Sequence, residues 1–311
     1  MREQVRPSVT RAEEVAANAS GENFPVALRL LPARHRRHLG HLYFFARLTD
    51  DLGDEARETS ETSEARAATK ATRTNEAAEA STDVTELRLR LLDELAADVD
   101  RIYAGQTPQS PVMRAMAETV RECHVPAQPL LDLIQANRQD QQVTRYRGYA
   151  GLARYCELSA NPVGQIVLYI FGAATPERIA LSDRICTALQ LAEHWQDVAE
   201  DLASGRIYLP GEDLERFGVT EADLAAPSAG PAVRELMAFE VTRAAELLDE
   251  GAPLVGTLRG AARLAVAGYL AGGRAALAAI RAQDYDVLKG TPRPHKPRLA
   301  AGLVQAYVRG R

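Results

Sequence analysis

The stretch Gln190-Leu191-Ala192-Glu193-His194-Trp195-Gln196-Asp197-Val198-Ala199-Glu200-Asp201 runs on into Gly205-Arg206-Ile207-Tyr208-Leu209-Pro210. At about 100° per residue, Gln190, Glu193, His194, Asp197 and Asp201 fall within one arc of a helix, so two aspartates one turn apart face the same way. Leu189, Leu191, Ala192 and Val198 supply packing elsewhere on the helix. Four carboxylates lie between Glu193 and Asp201, and like charges at i,i+4 cost a helix roughly a few tenths of a kcal/mol per pair. A hard cation removes that penalty, because Mg²⁺ binds through one or two carboxylates and completes its octahedron with water and phosphate oxygens. A lone Asp-x-x-x-Asp is more often a solvated acidic face; a second copy shifts the balance.

That copy is Tyr43-Phe44-Phe45-Ala46-Arg47-Leu48-Thr49-Asp50-Asp51-Leu52-Gly53-Asp54-Glu55. Tyr43, Arg47, Asp50 and Asp54 again share one helical face, and Tyr43, Phe44, Phe45 and Leu48 make the segment apolar enough to be partly buried. Two helices that each push a carboxylate pair into an apolar interior describe a metal-diphosphate clamp, with Arg47 placed to meet phosphate oxygens as a fork.

The chain has 311 residues, is 46% hydrophobic and carries a formal net charge of −5. That length allows one large core, and the charge implies no nucleic-acid partner. Cys123, Cys156 and Cys186 occur singly inside helical patterns, which reads as buried thiols of a reducing compartment. The first residues lack an apolar signal core, and no stretch approaches the ~18 uncharged residues of a membrane span. The expected location is the cytoplasm, with peripheral contact at the inner face of a membrane left open.

The chain divides into a polar segment over 1–21, a helical domain over 22–288 and a basic tail over 289–311. Pro32 to His38 opens the first helix with basic residues, read as a solvated entry turn in preference to a rim that attracts phosphates; His35, His38 and His41 spread too far around it to share one metal. Residues 57–83 contain no Val, Ile, Leu, Met or aromatic side chain, so they read as a mobile insertion or a frayed, solvated helix. Helical patterns follow over 87–103, 113–123, 129–140, 146–158, 162–171, 176–202, 233–248 and 258–282, with a proline interruption at Ser159-Ala160-Asn161-Pro162. Strand signals are absent. The fold class is all-α, a single-domain irregular helical bundle. The tail holds Lys289, Arg293, Lys296, Arg298, Arg309 and Arg311 and no acid, which reads either as solubilising or as attracted to an anionic membrane.

Three blocks in order, Phe45-Ala46-Arg47-x-x-Asp50-Asp51-x-x-Asp54-Glu55, Tyr155-Cys156-x-x-Ser159-Ala160-Asn161-Pro162-Val163-Gly164 and Asp197-Val198-x-Glu200-Asp201 with Gly205-Arg206-Ile207-Tyr208-Leu209-Pro210, resemble the squalene and phytoene synthase family of head-to-head prenyl synthases. The resemblance covers most of 22–288 outside the 57–83 stretch. It implies a class I isoprenoid synthase bundle around a central apolar cavity. Glu22-Asn23-Phe24-Pro25-Val26, the Ser159–Gly164 run and Ala282-Gln283-Asp284-Tyr285-Asp286 look most like the bacterial hopanoid-pathway branch, which includes the enzyme that makes hydroxysqualene from presqualene diphosphate.

By resemblance, Asp50, Asp54, Asp197 and Asp201 hold Mg²⁺ on the substrate diphosphate, Arg47 and Arg206 contact phosphate, Gln190, Asn161 and Tyr208 line the substrate site, and Tyr155 is an active-site tyrosine. The sequence departs from the family where Glu193 replaces a metal-ligating Asn and Gln196 replaces an Arg. Glu193 can still ligate Mg²⁺, with one more negative charge.

The chemistry expected is Mg²⁺-assisted loss of diphosphate to leave an allylic or cyclopropylcarbinyl cation in a dry cavity, with Tyr43, Phe44, Tyr155 and Tyr269 as aromatic faces for it. Hydride capture gives squalene, proton loss gives phytoene or dehydrosqualene, and water gives hydroxysqualene. No Gly-x-Gly-x-x-Gly follows a strand, so no nicotinamide cofactor is expected, and water capture is the favoured reading. The alternative is head-to-head condensation of two prenyl diphosphates such as farnesyl diphosphate. A di-iron carboxylate protein needs Glu-x-x-His pairs, which are absent; a lipid-binding module without turnover is the third reading. Association with other hopanoid-pathway enzymes is left open.

Overall fold

Fourteen helices carry the described part of the chain. The computed structural model describes residues 31–54, 73–293 and 296–310, with side chains described over 31–52, 84–293 and 300–310. The helices are α1 (Ala33–Asp54), α2 (Arg73–Tyr103), α3 (Pro111–Cys123), α4 (Ala127–Asp140), α5 (Tyr149–Ser159), α6 (Asn161–Ile170), α7 (Pro176–Gln196), α8 (Val198–Ala203), α9 (Gly211–Phe217), α10 (Glu221–Leu224), α11 (Pro231–Gly251), α12 (Leu254–Thr257), α13 (Gly260–Ala282) and α14 (Lys296–Arg309). Among the described residues the only extended pairing is an isolated parallel bridge between Arg145 and Ile207.

Local signals set the starts of several helices. Prolines open α3, α7 and α11, where the missing N–H costs nothing. The Thr175 side chain caps α7 by accepting from Arg178 N. A reciprocal capping box of Thr220 and Asp223 holds the short α10.

Two apolar clusters make the core. The first gathers Leu191 and Trp195 of α7, Leu236, Val241 and Leu248 of α11, and Leu270 and Ile280 of α13. The second gathers Phe45 of α1, Leu92 of α2, Met113 and Met116 of α3, and Leu130 and Ile134 of α4. Helix α6 joins them, with Leu168 in the first and Ile166 and Ile170 in the second. Helix α7 packs against α5, α6, α11, α12 and α13, so its acidic end is carried by the most enclosed helix of the bundle. Gly164 allows α6 to approach α7: a methyl there would overlap Cys186 Sγ and Ser182 Oγ.

Three departures from the sequence reading concern element limits. The pattern over 176–202 predicts one helix, yet α7 ends at Gln196 and α8 starts at Val198, because Asp197 sits at φ −107°, ψ 17°. The side chains at this break are held from outside: Gln196 Nε2 donates to Pro292 O, and Thr291 Oγ1 donates to Asp197 Oδ1. Helix α2 begins at Arg73, within the stretch read as an insertion or a solvated helix, rather than at Leu87. The remainder of that stretch below 73, and the polar segment 1–21, lie outside the described residues. In the basic tail, α14 is a packed helix: its Ala306 is buried and its Gly302 meets Ala271 of α13. Among the described residues no helix is long and apolar enough to cross a membrane.

Candidate active site

Two loops bring distant helix ends together. Ile207 N donates to Thr144 O at 2.9 Å and Gly211 N to Tyr146 O at 2.9 Å, which lays the segment after α8 along the segment after α4. Arg206 and Tyr208 therefore stand at the C-terminal end of α4. Arg206 Nη2 donates to the Asp140 carbonyl at 3.3 Å and Nη1 to the Tyr208 hydroxyl at 3.4 Å.

The result is a polar cavity of about 260 Å³. Asp50 reaches it from α1, Asn137, Asp140 and Gln141 from the end of α4, and Tyr155 from α5. Gln190, Glu193, His194, Asp197, Asp201, Arg206 and Tyr208 complete the wall. The two acidic stretches, more than a hundred residues apart, thus face one space. Asn137 Nδ2 donates to Asp50 Oδ1 at 3.3 Å.

One wall is aromatic and locked. The Tyr155 hydroxyl donates to Asp140 Oδ2 at 2.8 Å. His194 stacks on Tyr208 with centroids 3.7 Å apart and planes 11° apart, and its Nε2 lies 3.2 Å from Gln190 Nε2. Burial, helped by the Arg206 charge, holds His194 down at about 3, so the ring is neutral. Burial, with Asp140 adding to it, raises Tyr155 far above the ordinary phenol and pushes Tyr208 up to about 12. Both are hydrogen-bonding phenols, not phenolates.

The opposite wall is acidic and frustrated. Asp201 is pushed up to about 7, first by burial and then by Asp197, with Glu193 and Glu200 adding to it against the opposing pull of Arg206. Asp197 is raised by burial and by Glu200, opposed by the Thr291 hydroxyl. Such a carboxylate cluster is relieved by a cation, and its donors are oxygens only, the ligand set of hard divalent ions. Among the described residues no three His, Cys, Asp or Glu side chains are grouped closely enough to hold an ion by themselves.

A second, apolar cavity of about 190 Å³ adjoins the first. Val163 and Val167 of α6, Ile185 and Leu189 of α7, Leu254, Val266 and Tyr269 line it together with Cys186. Gln190 and Glu193 line both cavities. A charged-end, greasy-tail molecule matches this division.

Some of the residues singled out in the sequence fall elsewhere. Asp54 ends α1, and its side chain lies outside the described residues. Arg47 lies outside both cavities, with Nε bonded to Asp51 Oδ1 at 2.9 Å on a half-exposed surface. Tyr43 sits edge-on to Phe44 and lines neither cavity; seven residues before Asp50, it is about 10 Å further along the helix. Asn161 is buried and accepts from Thr187 Oγ1 at 3.0 Å, pinning α6 to α7. Tyr155 faces the polar cavity and Tyr269 the apolar one. The sequence reading missed Asn137, Asp140 and Gln141, which no local motif marks, and Thr291, whose hydroxyl donates to Asp197 at 3.1 Å and Glu200 at 2.8 Å.

A helical bundle with an acid-lined polar cavity opening onto an apolar one defines the class of helical enzymes that act on isoprenoid diphosphates. The squalene/phytoene synthase family description matches residues 17–300, and the chain belongs to that family. It is 30% identical over 256 residues to the hydroxysqualene synthase of Rhodopseudomonas palustris, covering 81% of this chain and 77% of that protein. It is 28% identical to the 15-cis-phytoene synthase of a Synechocystis strain, over 97% and 86% of the two chains. The crystal structure of squalene synthase HpnC from Alicyclobacillus acidocaldarius superposes with a TM-score of 0.71 at 38% identity, covering 88% of this chain and 94% of that one. A dehydrosqualene synthase crystallised with a ligand shares the fold, with a TM-score of 0.77 at 21% identity over 97% and 96% of the chains.

Proposed function

We propose that the chain ionises presqualene diphosphate with Mg²⁺ and lets water capture the cation, giving hydroxysqualene for hopanoid formation. The observation that carries this reading is the junction of an acidic, polar cavity with an apolar one at Gln190 and Glu193. The similarity to a hydroxysqualene synthase supports the water-captured product, and that to squalene synthase HpnC supports a squalene-type carbon skeleton. Asp50, Glu193, Asp197 and Asp201, with Asp54 of the first stretch, would supply carboxylate ligands to the metal, which needs further oxygens from water or substrate because the described side chains among these do not group closely enough by themselves. The ion supplies positive charge that makes diphosphate a good leaving group.

The rest is done by the protein's own side chains. Arg206, fixed by the Asp140 carbonyl and the Tyr208 hydroxyl, meets diphosphate oxygens as a preorganised fork. The Asp140–Tyr155 bond and the His194–Tyr208 stack hold that wall rigid, so no reorganisation accompanies the change in charge. The hydrocarbon lies against the apolar side chains of Val163, Val167, Leu189 and Val266. The Tyr269 ring face in that cavity attracts a passing cation. Gln190 and Glu193 stand where the two environments meet, which is where a single ordered water is best held.

Incubation of the purified chain with presqualene diphosphate and Mg²⁺, followed by mass analysis, tests the assignment. Hydroxysqualene without any nicotinamide is the expected product. Squalene formed only with NADPH, or a polyene made from farnesyl or geranylgeranyl diphosphate alone, would replace it with the condensation reading, for which the phytoene synthase similarity speaks.

A further inference from the structure

We propose that α14 seats the protein on an anionic phospholipid surface through its outward, apolar face. Among the described residues six large apolar side chains are exposed, and three of them, Val304 at 63%, Tyr307 at 40% and Val308 at 71%, lie within five residues of α14. At 100° per residue they share an arc of about 120° with the exposed Ala300 and Ala301. The inner arc is already satisfied, since Ala306 is buried and Gly302 meets Ala271. A helix whose only task was to close the bundle would carry charge on its outer arc.

The charge around this face identifies its occupant. Arg309 is exposed on α14 itself, and Arg263 of α13 lies beside the apolar arc, donating from Nε to Tyr307 O at 2.9 Å with its guanidinium 5.1 Å from the Tyr307 ring. The exposed Arg259 begins one turn earlier. An apolar arc bordered by Arg259, Arg263 and Arg309, with the one nearby acid Asp249 already paired to Arg274 at 2.6 Å, has the composition of a helix lying in the headgroup layer of an anionic bilayer. A second copy of this chain fits worse, because a two-fold contact through the same face would oppose two cationic fringes.

The placement suits a lipid product. Helix α14 packs on α12 and α13, and those two helices supply Leu254, Val266 and Tyr269 to the apolar cavity. This last link rests on the function proposed above; the surface argument does not.

Flotation of the full chain with vesicles tests it, using phosphatidylcholine alone against equal parts phosphatidylcholine and phosphatidylglycerol. The chain is expected to float with the mixed vesicles at low salt, to be released at high salt, and to stay behind with phosphatidylcholine alone. Val304→Asp with Val308→Asp, both at exposed positions, should keep the melting temperature and lower the bound fraction about tenfold. No flotation with either vesicle, undiminished binding of the double variant, or a concentration-dependent dimer that the variant abolishes would each overturn the proposal. Because no substrate is used, these outcomes are independent of whether hydroxysqualene is the product.

Discussion

Asp201→Asn is expected to lower the rate of diphosphate release about a thousandfold, a loss of about 4 kcal/mol of transition-state stabilisation. The exchange keeps the size of the side chain and removes one carboxylate from the wall formed with Asp197, Glu193 and Asp50. The same variant should melt at a higher temperature than the parent when no divalent ion is added. The sign follows from the raised Asp201: its folded-state value of about 7 lies above the 3.8 of an ordinary aspartate. Above pH 7 the folded state therefore carries an anion that burial and its neighbours oppose, and the amide relieves it. Lower activity with higher stability is the mark of a site under functional strain. Steady-state kinetics and a melting curve at pH 8 check both halves; a stable variant with activity within a factor of ten of the parent would remove Asp201 from the machinery.

Arg243→Ala is expected to cost about 3–5 kcal/mol of folding stability, because it leaves buried acids without their cation. Arg243 Nη1 donates to Asp213 Oδ2 and Glu240 Oε2, each at 2.9 Å, and its guanidinium lies 4.3 Å from the centre of the Tyr149 ring and 4.6 Å from that of Phe239. Glu240 has no exposed surface. Burial pushes it up to about 8 even with Arg243 present. The folded state therefore holds a proton that the unfolded state has lost between about pH 4.5 and pH 8, and stability falls as pH rises through that window. Urea titrations should show the largest deficit of the variant at pH 9 and a smaller one at pH 5, with Glu240→Gln flattening the pH dependence. A deficit under about 1 kcal/mol at pH 9 would mean the network contributes little.

What could be read in the sequence was what is periodic. Asp197 and Asp201 stay one turn apart across the break, with Asp201 N donating to Asp197 O at 2.8 Å, and they line one cavity with Asp50, whereas Tyr43 and Arg47, which share the Asp50 face in the sequence pattern, do not reach it. Arg206 and Tyr208 are legible through the family resemblance of the Gly205–Pro210 block that follows the second acidic stretch. Asn137, Asp140 and Gln141 carry no local mark; they reach the site because two loops pair 144–147 with 207–212, and loop pairing has no sequence period. The break at Asp197 was missed for a related reason, as its neighbours are anchored by Thr291 and Pro292 from the far end of the chain. Arg47 and Asp51 show the opposite failure. Their four-residue spacing makes an ion pair on the helix itself, which competes with the phosphate contact that the motif implies. The basic opening of α1 is likewise no plain solvated turn: Arg37 meets Glu118 and Glu122, and His38 is fully buried.

The central claim is that two acidic stretches, distant in sequence, act through a divalent ion on one diphosphate. Titration calorimetry of inorganic pyrophosphate, with and without Mg²⁺, on the parent, Asp50→Asn, Asp197→Asn and the double variant tests it most directly. The account predicts binding that requires Mg²⁺, at least about tenfold weaker in each single variant, and a double variant clearly less affected than the sum of the two. Binding of equal strength without Mg²⁺, or strictly additive losses, would contradict it.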